Sequence, residues 1–444
     1  MHRAIKSASI TSLSITLFIL LPVFLLSPGC NDDSSKPNGE GGSTVTGEYV
    51  VFAWNDLGMH CLNDTYDQAV ILPPYNTVWA QVIKRGDPPQ IVTAGMTAEF
   101  ELVNNTFSYG KAEYGGFWDN ADDIFRFIPG FSAPPNDVGL TGTGLSGHME
   151  AAGDHFVAEG IPVVPMYDDS EYDAYQIAVI TIKDDGGKTI ATTRATVPVS
   201  DEINCSKCHG VDAWADAIAD HDRLHATHLA DSIPFLCASC HGSPALGTVG
   251  PGSAGIYLSE AIHGSHSTRD ASCYDCHPGN ETKCMRSEGH TTADGNCEAC
   301  HGGLAEVASS IAGGRTPWAD EPTCGSCHTG VPGLEPAGVL FRNAKGHGSA
   351  YCAACHHSPH AMYPSTLMAD NYQPIEYQGG AKTIGSCGVC HSDSRGEIED
   401  IYEFEEYHGG ADPYRVINCH VCHTVVRDAT MSWPHQWKWN NSND

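Results

Sequence analysis

The chain has 444 residues, enough for two or three ordinary domains, and carries 19 cysteines, 24 histidines and a formal net charge of −31 although only 17% of its residues are charged. Acid is spread over both halves, and such a surface repels nucleic acid and anionic membrane. It suits basic partners, cationic metal species or mineral surfaces.

His2, Arg3 and Lys6 form a short basic region, followed by the apolar run ITLFILLPVFLL and then SPGC. This is the layout of an export signal over residues 1–29, and the run is too short and wrongly flanked for a membrane-spanning helix. Cys30, after Gly29, resembles the lipidated cysteine of bacterial lipoproteins, with Ser27 standing where the usual motif has leucine. A lipid anchor, a plain cleaved signal and an uncleaved anchor are the three readings. Each sends the mature chain out of the cytoplasm, either held at the outer membrane facing periplasm or cell surface, or released outside. Residues 30–47, rich in Asn, Asp, Ser and Gly, read as a flexible tether. No later apolar run approaches the ~20 residues that span a bilayer, so membrane contact is expected through the anchor only.

Residues 48–200 contain a single cysteine, Cys61, and read as a β-rich, sandwich-like domain. EYVVFAW (48–54), NTVWAQVIK (76–84), MTAEFELV (96–103), YQIAVITIK (175–183) and KTIATTRATV (188–197) are rich in β-branched and aromatic residues. KDDGG between the last two is a hairpin turn. The stretch 115–170, rich in Gly and Pro, reads as irregular.

After Asn204 the pattern changes to a series of C-x-x-C-H pentads. The first four are Cys205, Cys208 and His209; Cys237, Cys240 and His241; Cys273, Cys276 and His277; Cys297, Cys300 and His301. The second four are Cys324, Cys327 and His328; Cys352, Cys355 and His356; Cys387, Cys390 and His391; Cys419, Cys422 and His423. Between them lie mostly Gly, Ser, Ala and Asp, too few apolar side chains for an ordinary core. Something else must supply the interior of residues 201–444, and folding there should depend on it. Short helices on the motifs, long loops and little sheet are expected.

The motif selects covalent haem. Two cysteines three apart on a helical turn reach the two vinyl positions of one porphyrin, and the next residue presents an imidazole to the iron. Structural zinc needs four ligands, usually from two paired half-motifs, with no call for histidine directly after the second cysteine. Redox dithiols come singly on a thioredoxin-like fold. Disulfides suit an exported chain but do not explain a three-residue spacing repeated eight times with histidine always next. Eight covalent haems c are therefore expected.

Residues 201–444 resemble the multihaem c-type cytochromes of exported bacterial respiratory chains, above all the outer-surface cytochromes of metal-reducing bacteria; CAACHHSPHAMYPS (352–365) carries much of the likeness. The resemblance covers about half the chain. It implies that the eight motif histidines are proximal iron ligands and that most irons take a second histidine. Twelve further histidines lie in this half, so methionine ligation is not required. The distal candidates are His228, His263, His266, His290, His347, His360, His408 and His420. His266, His290, His347 and His408 each precede a motif by 5 to 11 residues, and His263 and His266 in HGSH suit two neighbouring haems. His225 competes with His228 in HATH, and His357 with His360. His420, inside the last motif, either reaches the far face of a neighbouring haem or is a solvent-facing variable residue. His60, His148 and His155 read as surface or packed histidines of the β-half. Cys61 and Cys284 are left over, as a mutual disulfide or as buried thiols.

Eight haems in so short a segment must lie nearly in contact, and an iron with two histidines has no open position for substrate. The leading expectation is an electron carrier rather than an enzyme, passing electrons along eight haems in an extracytoplasmic respiratory chain, with extracellular acceptors as one destination. Other redox proteins or cytochromes and a metal or mineral acceptor are the expected partners. The alternatives are an oxidoreductase acting on a nitrogen or sulphur oxyanion and a subunit of a conductive cytochrome filament. No C-x-x-C-K motif, frequent in multihaem nitrite reductases, occurs.

Overall fold

The computed structural model describes residues 45–392, apart from Asp87, Asn204, Asn280, 291–296 and 330–333. Cys30, His408, Cys419, His420, Cys422 and His423 lie outside the described residues. The first half is built on strands β1 (Tyr49–Asn55), β2 (His60–Cys61), β3 (Ala69–Val70), β4 (Asn76–Lys84), β5 (Gln90–Ile91) and β6 (Met96–Leu102). After helix α1 (Gly116–Ile124) come β7 (Ser146–Ala151), β8 (Phe156–Ile161), β9 (Tyr175–Asp184) and β10 (Thr189–Ser200). The five β-branched runs of the sequence correspond to β1, β4, β6, β9 and β10. The pair β7 and β8 falls in the stretch expected to be irregular, because β7 buries only Met149 and shows no alternation.

The strands form one sheet in the order β1-β4-β8-β7-β6-β9-β10-β2, with β5 on the side of β4, instead of the two stacked sheets expected of a sandwich. Neighbours are antiparallel except β10 and β2. The sheet rolls into a half-barrel, so that Ala53, Val78, Phe100, Phe156, Ile180 and Val197, from six different strands, meet in one core. β9 buries Gln176, Ala178, Ile180 and Ile182 in strict alternation, the mark of a strand with one face in the core. The hairpin to β10 is held by Asp184, whose Oδ1 accepts the N–H groups of Gly186 and Lys188 at 2.9 Å each.

β1 is different. Val50 to Asn55 are buried on both faces, which explains its unbroken apolar run. Val51 and Ala53 enter the barrel core, while Val50, Phe52 and Trp54 pack against Tyr351, Ala353, Tyr363 and Tyr377 from the motif-bearing half. The composition boundary at 200 thus runs through a shared core.

The second half contains short helices separated by loops: α2 (Ser206–His209), α3 (Ala213–His225), α4 (Leu258–His266), α5 (Cys297–His301), α6 (Leu304–Ala312), α7 (Cys352–His356) and α8 (Tyr372–Gln378). A two-residue strand, β11 (Phe235–Leu236), pairs with β3. α8 closes the roll where β1 faces β10. Its Tyr377 hydroxyl donates to Val51 O at 2.5 Å and lies 2.8 Å from Thr193 Oγ1. Its Gln373 amide nitrogen donates to Ala53 O and Arg194 O, and its Oε1 accepts the Ala53 N–H at 3.1 Å. A glutamine and a tyrosine thereby take the place of a missing ladder.

A buried ion pair ties the halves together. Arg286 Nε donates to Asp370 Oδ2 at 2.8 Å, with the side chains 2% and 0% exposed. Thr196 of β10 and Ser365 each donate to Asp370 at 2.6 Å, and Arg286 also donates to Gly58 O at 2.8 Å. Gly58 has φ +87°, and a Cβ there would lie 3.0 Å from the Ser358 Cβ, so only glycine permits this approach. Burial works to raise the Asp370 pKa, but the Arg286 charge and its hydrogen bonds outweigh it and hold the carboxyl below its usual range.

Asp370→Asn leaves a buried guanidinium without its counter-charge and is expected to cost about 3–5 kcal/mol, read by guanidinium denaturation of the full chain. Replacing Arg286 and Asp370 together by apolar residues should cost less than either single change. Because the folded pKa is depressed, this stabilisation is present above the unfolded carboxylate pKa and is lost as pH falls through the folded value. A wild-type acid transition matching that of Asp370→Asn would contradict the assignment.

Candidate haem sites

Each described motif opens on a single helical turn, as α2, α5 and α7 or as 3-10 turns at Cys237–Ser239, Cys273–Asp275, Cys324–Ser326 and Cys387–Val389. The histidine N–H donates to the carbonyl of the first cysteine, at 3.0 Å in the first motif, 3.1 Å in the second, 2.9 Å in the third and 2.8 Å in the fifth. That bond brings the two cysteines and the histidine to one side of the turn.

The motif histidines are met by second imidazoles. Ring centres are 6.3 Å apart for His209 and His266, and 6.2 Å for His241 and His221. They are 6.1 Å apart for His277 and His263, and 6.2 Å for His301 and His360. For His328 and His290 the distance is 6.1 Å, and for His391 and His347 it is 6.2 Å. An imidazole nitrogen binds a transition metal at about 2.0 Å and lies about 1.1 Å from its ring centre, so two imidazoles on opposite sides of one ion stand about 6.2 Å apart. Direct stacking or packing has no reason to select that one separation six times.

In several of these rings Nδ1 already has a hydrogen-bond partner. Nδ1–H of His263 donates to Ser259 O at 2.7 Å, that of His266 to Ile262 O at 2.8 Å, and that of His360 to Leu57 O at 2.8 Å. His241 Nδ1 reaches Ile256 O at 3.2 Å. His209 Nδ1 lies 2.7 Å from Asp216 Oδ2, and His221 Nδ1 lies 2.8 Å from Thr227 Oγ1, whose own hydrogen goes to Asp222. Engaging Nδ1 orients the ring and leaves Nε2 as the metal-binding nitrogen. Burial pushes His277 and His360 down to about 4, so both are neutral near pH 7, the form in which histidine binds metal.

Among the described residues no group of three or more His, Cys, Asp or Glu side chains is gathered around a common point as zinc would need. The first cysteine of each motif is half-buried, among those whose side chains are described, and Cys208, Cys240, Cys276, Cys300 and Cys327 are exposed thiols. Large apolar side chains also stand uncovered by polypeptide here, such as Leu224 and Val249. Paired axial imidazoles, adjacent thiols and apolar surface together fit a porphyrin.

Of the distal candidates, His263, His266, His290, His347 and His360 stand opposite motif histidines. His228 does not: the imidazole facing His241 is His221, on α3. Ala226, in the left-handed conformation, ends that helix and carries the chain away before His228. His225 lies beside His221, ring centres 4.8 Å apart. His357 is buried against Tyr363, with Nδ1 3.1 Å from Ala361 O. In the β-half, His60 bonds Asp56 at 2.7 Å, His148 lies beside Glu99 and His155 stacks on Trp79 with ring centres 4.3 Å apart. The missed residue, His221, had only its membership of the histidine-rich run to mark it.

No protein-family model matches this chain, and no curated protein matches it. Among solved structures, the crystal structure of MtrC from Shewanella baltica OS185 aligns over 69% of this chain and 43% of that one, with 15% identity and a TM-score of 0.14. This chain therefore spans less than half the length of that neighbour, and the likeness is weak and distant. Among the described residues no helix is long and apolar enough to cross a membrane.

Cys61 and Cys284, the two cysteines of the described residues outside the motifs, are free thiols and electrostatic neighbours. Burial, reinforced by Cys284, pushes Cys61 far above the ordinary thiol range, and burial pushes Cys284 up to about 11. Neither should react with iodoacetamide in the folded protein, and both should be alkylated on unfolding without reductant. A mass gain at either position only after reduction would show a disulfide instead.

Proposed function

We propose that residues 201–444 hold eight covalent c-type haems and conduct electrons along them in an extracytoplasmic respiratory chain. The observation that carries this reading is the set of six motif histidines, each opposed by a second imidazole at 6.1–6.3 Å. When bound, haem supplies reversible one-electron chemistry.

The residues divide the work. The motif cysteines would hold each ring by two thioethers, and the motif histidine would hold its iron together with one of His221, His263, His266, His290, His347 and His360. The Nδ1 hydrogen bonds of His221, His263, His266 and His360 fix tautomer and ring orientation and increase the basicity of Nε2. Two histidines favour low potential relative to a histidine–methionine pair, and the acidic protein charge acts in the same direction by stabilising the oxidised iron. With two histidines supplied to each by the chain, these six sites would leave no place for a substrate, which favours conduction over catalysis. The leader at 1–29 and Cys30 support export with a lipid anchor. An acidic surface favours basic redox proteins or a cationic metal or mineral acceptor, and disfavours nucleic acid.

Intact-mass measurement of the mature protein should show eight haem additions, with a low-spin spectrum. His221→Ala should convert about one iron in eight to high spin, reversibly by added imidazole, whereas His228→Ala should leave the spectrum unchanged. Absence of haem mass would remove the reading altogether.

A further inference from the structure

The order of haem motifs along the chain is not their order in space. Helix α4 carries His263 and His266 three residues apart, on neighbouring positions of one face. His263 stands opposite His277 of the third motif, and His266 stands opposite His209 of the first. A single helical turn therefore serves both sites, which places the first and third motifs side by side. Lys207, inside the first motif, forms an ion pair with Asp275, inside the third. Cys276 is an electrostatic neighbour of Cys205 and Cys208.

The second motif approaches the first from another direction. α3 follows the first motif directly; its Asp216 holds His209 Nδ1, and its His221 faces His241 of the second motif. The Cys237 sulfur is an electrostatic neighbour of Cys205. One helix thus binds the first site to the second, while a different helix binds the first site to the third.

The third motif also meets the fourth, through a hydrogen bond between the Cys273 and Cys297 side chains, and the sixth meets the seventh, where Cys355 and Cys390 pack on one apolar cluster.

We propose that the first three haem sites are ranked second, first, third, with the Cys205–His209 site inserted between Cys237–His241 and Cys273–His277. This rests on the haem reading above. α3 and α4 are the two brackets that hold the first site to each of the others.

Two measurements on the full haem-loaded protein test this ranking. Zero-length carbodiimide coupling followed by peptide mass spectrometry should join Lys207 to Asp275, a readout independent of redox state. Site-resolved redox titration should show that His266→Met, which alters the first site, shifts the midpoints of both the Cys237 and the Cys273 haems. His221→Met, which alters the second site, should shift the Cys205 haem and leave the Cys273 haem unmoved. The ranking is overturned if His221→Met moves the Cys273 haem as much as the Cys205 haem, or if no Lys207–Asp275 linkage forms. Loss of the haem reading is seen separately, as absent haem mass or as no change of axial ligation in either methionine variant.

Discussion

A fixed distance between two imidazoles, repeated in six places, is the constraint on which the second half depends. Between 205 and 340 the described chain buries few apolar side chains: Ala213, Trp214, Ile218, Leu236, Ala238, Leu258 and Ile311. Such a segment cannot offset the conformational entropy of ordering its loops by side-chain burial alone. Each imidazole pair instead joins two stretches of chain at a defined separation. Under the haem reading proposed above, an iron between them would convert that geometry into binding free energy, and attachment and folding would become one process.

The sheet gives this network a fixed frame. His360 is oriented by the carbonyl of Leu57, Ser358 donates to Asn55 O, and Arg286 reaches both Gly58 and Asp370. Arg85, just after β4, donates to the carbonyls of Gly388, Val389 and His391 around the seventh motif. Strands β1 and β4 thus position the fourth, sixth and seventh sites through backbone and guanidinium hydrogen bonds. A rigid sheet would suit the conduction proposed above, because tunnelling between redox centres decays steeply with distance and tolerates little drift.

The motif spacing was more legible in the sequence than the fold. A cysteine spacing repeated with histidine always next has one economical chemical reading, and it needs no tertiary information. Strands with β-branched runs were equally visible. β7 and β8 were not, since β7 is largely solvent-facing and the turn between them is polar. The rolling of one sheet in place of two depends on which strands meet, which local pattern does not encode. Distal partners fail for the same reason. His266 precedes the third motif yet faces the first, His290 precedes the fourth yet faces the fifth, and His347 precedes the sixth yet faces the seventh. Nearness in sequence indicated which histidines stand opposite a motif histidine, but not which motif each would face. His221 was passed over for His228 because the end of α3 is a backbone event at Ala226.

The Gln373 and Tyr377 contacts with β1 and β10 bear on the order in which the molecule is made. As the chain emerges N-terminus first, β1 and β10 are complete long before α8 exists. Through that interval the nascent barrel displays bare amide and carbonyl groups, a template for pairing with another copy. Slow formation of the α8 contacts would show itself as insoluble β-aggregate.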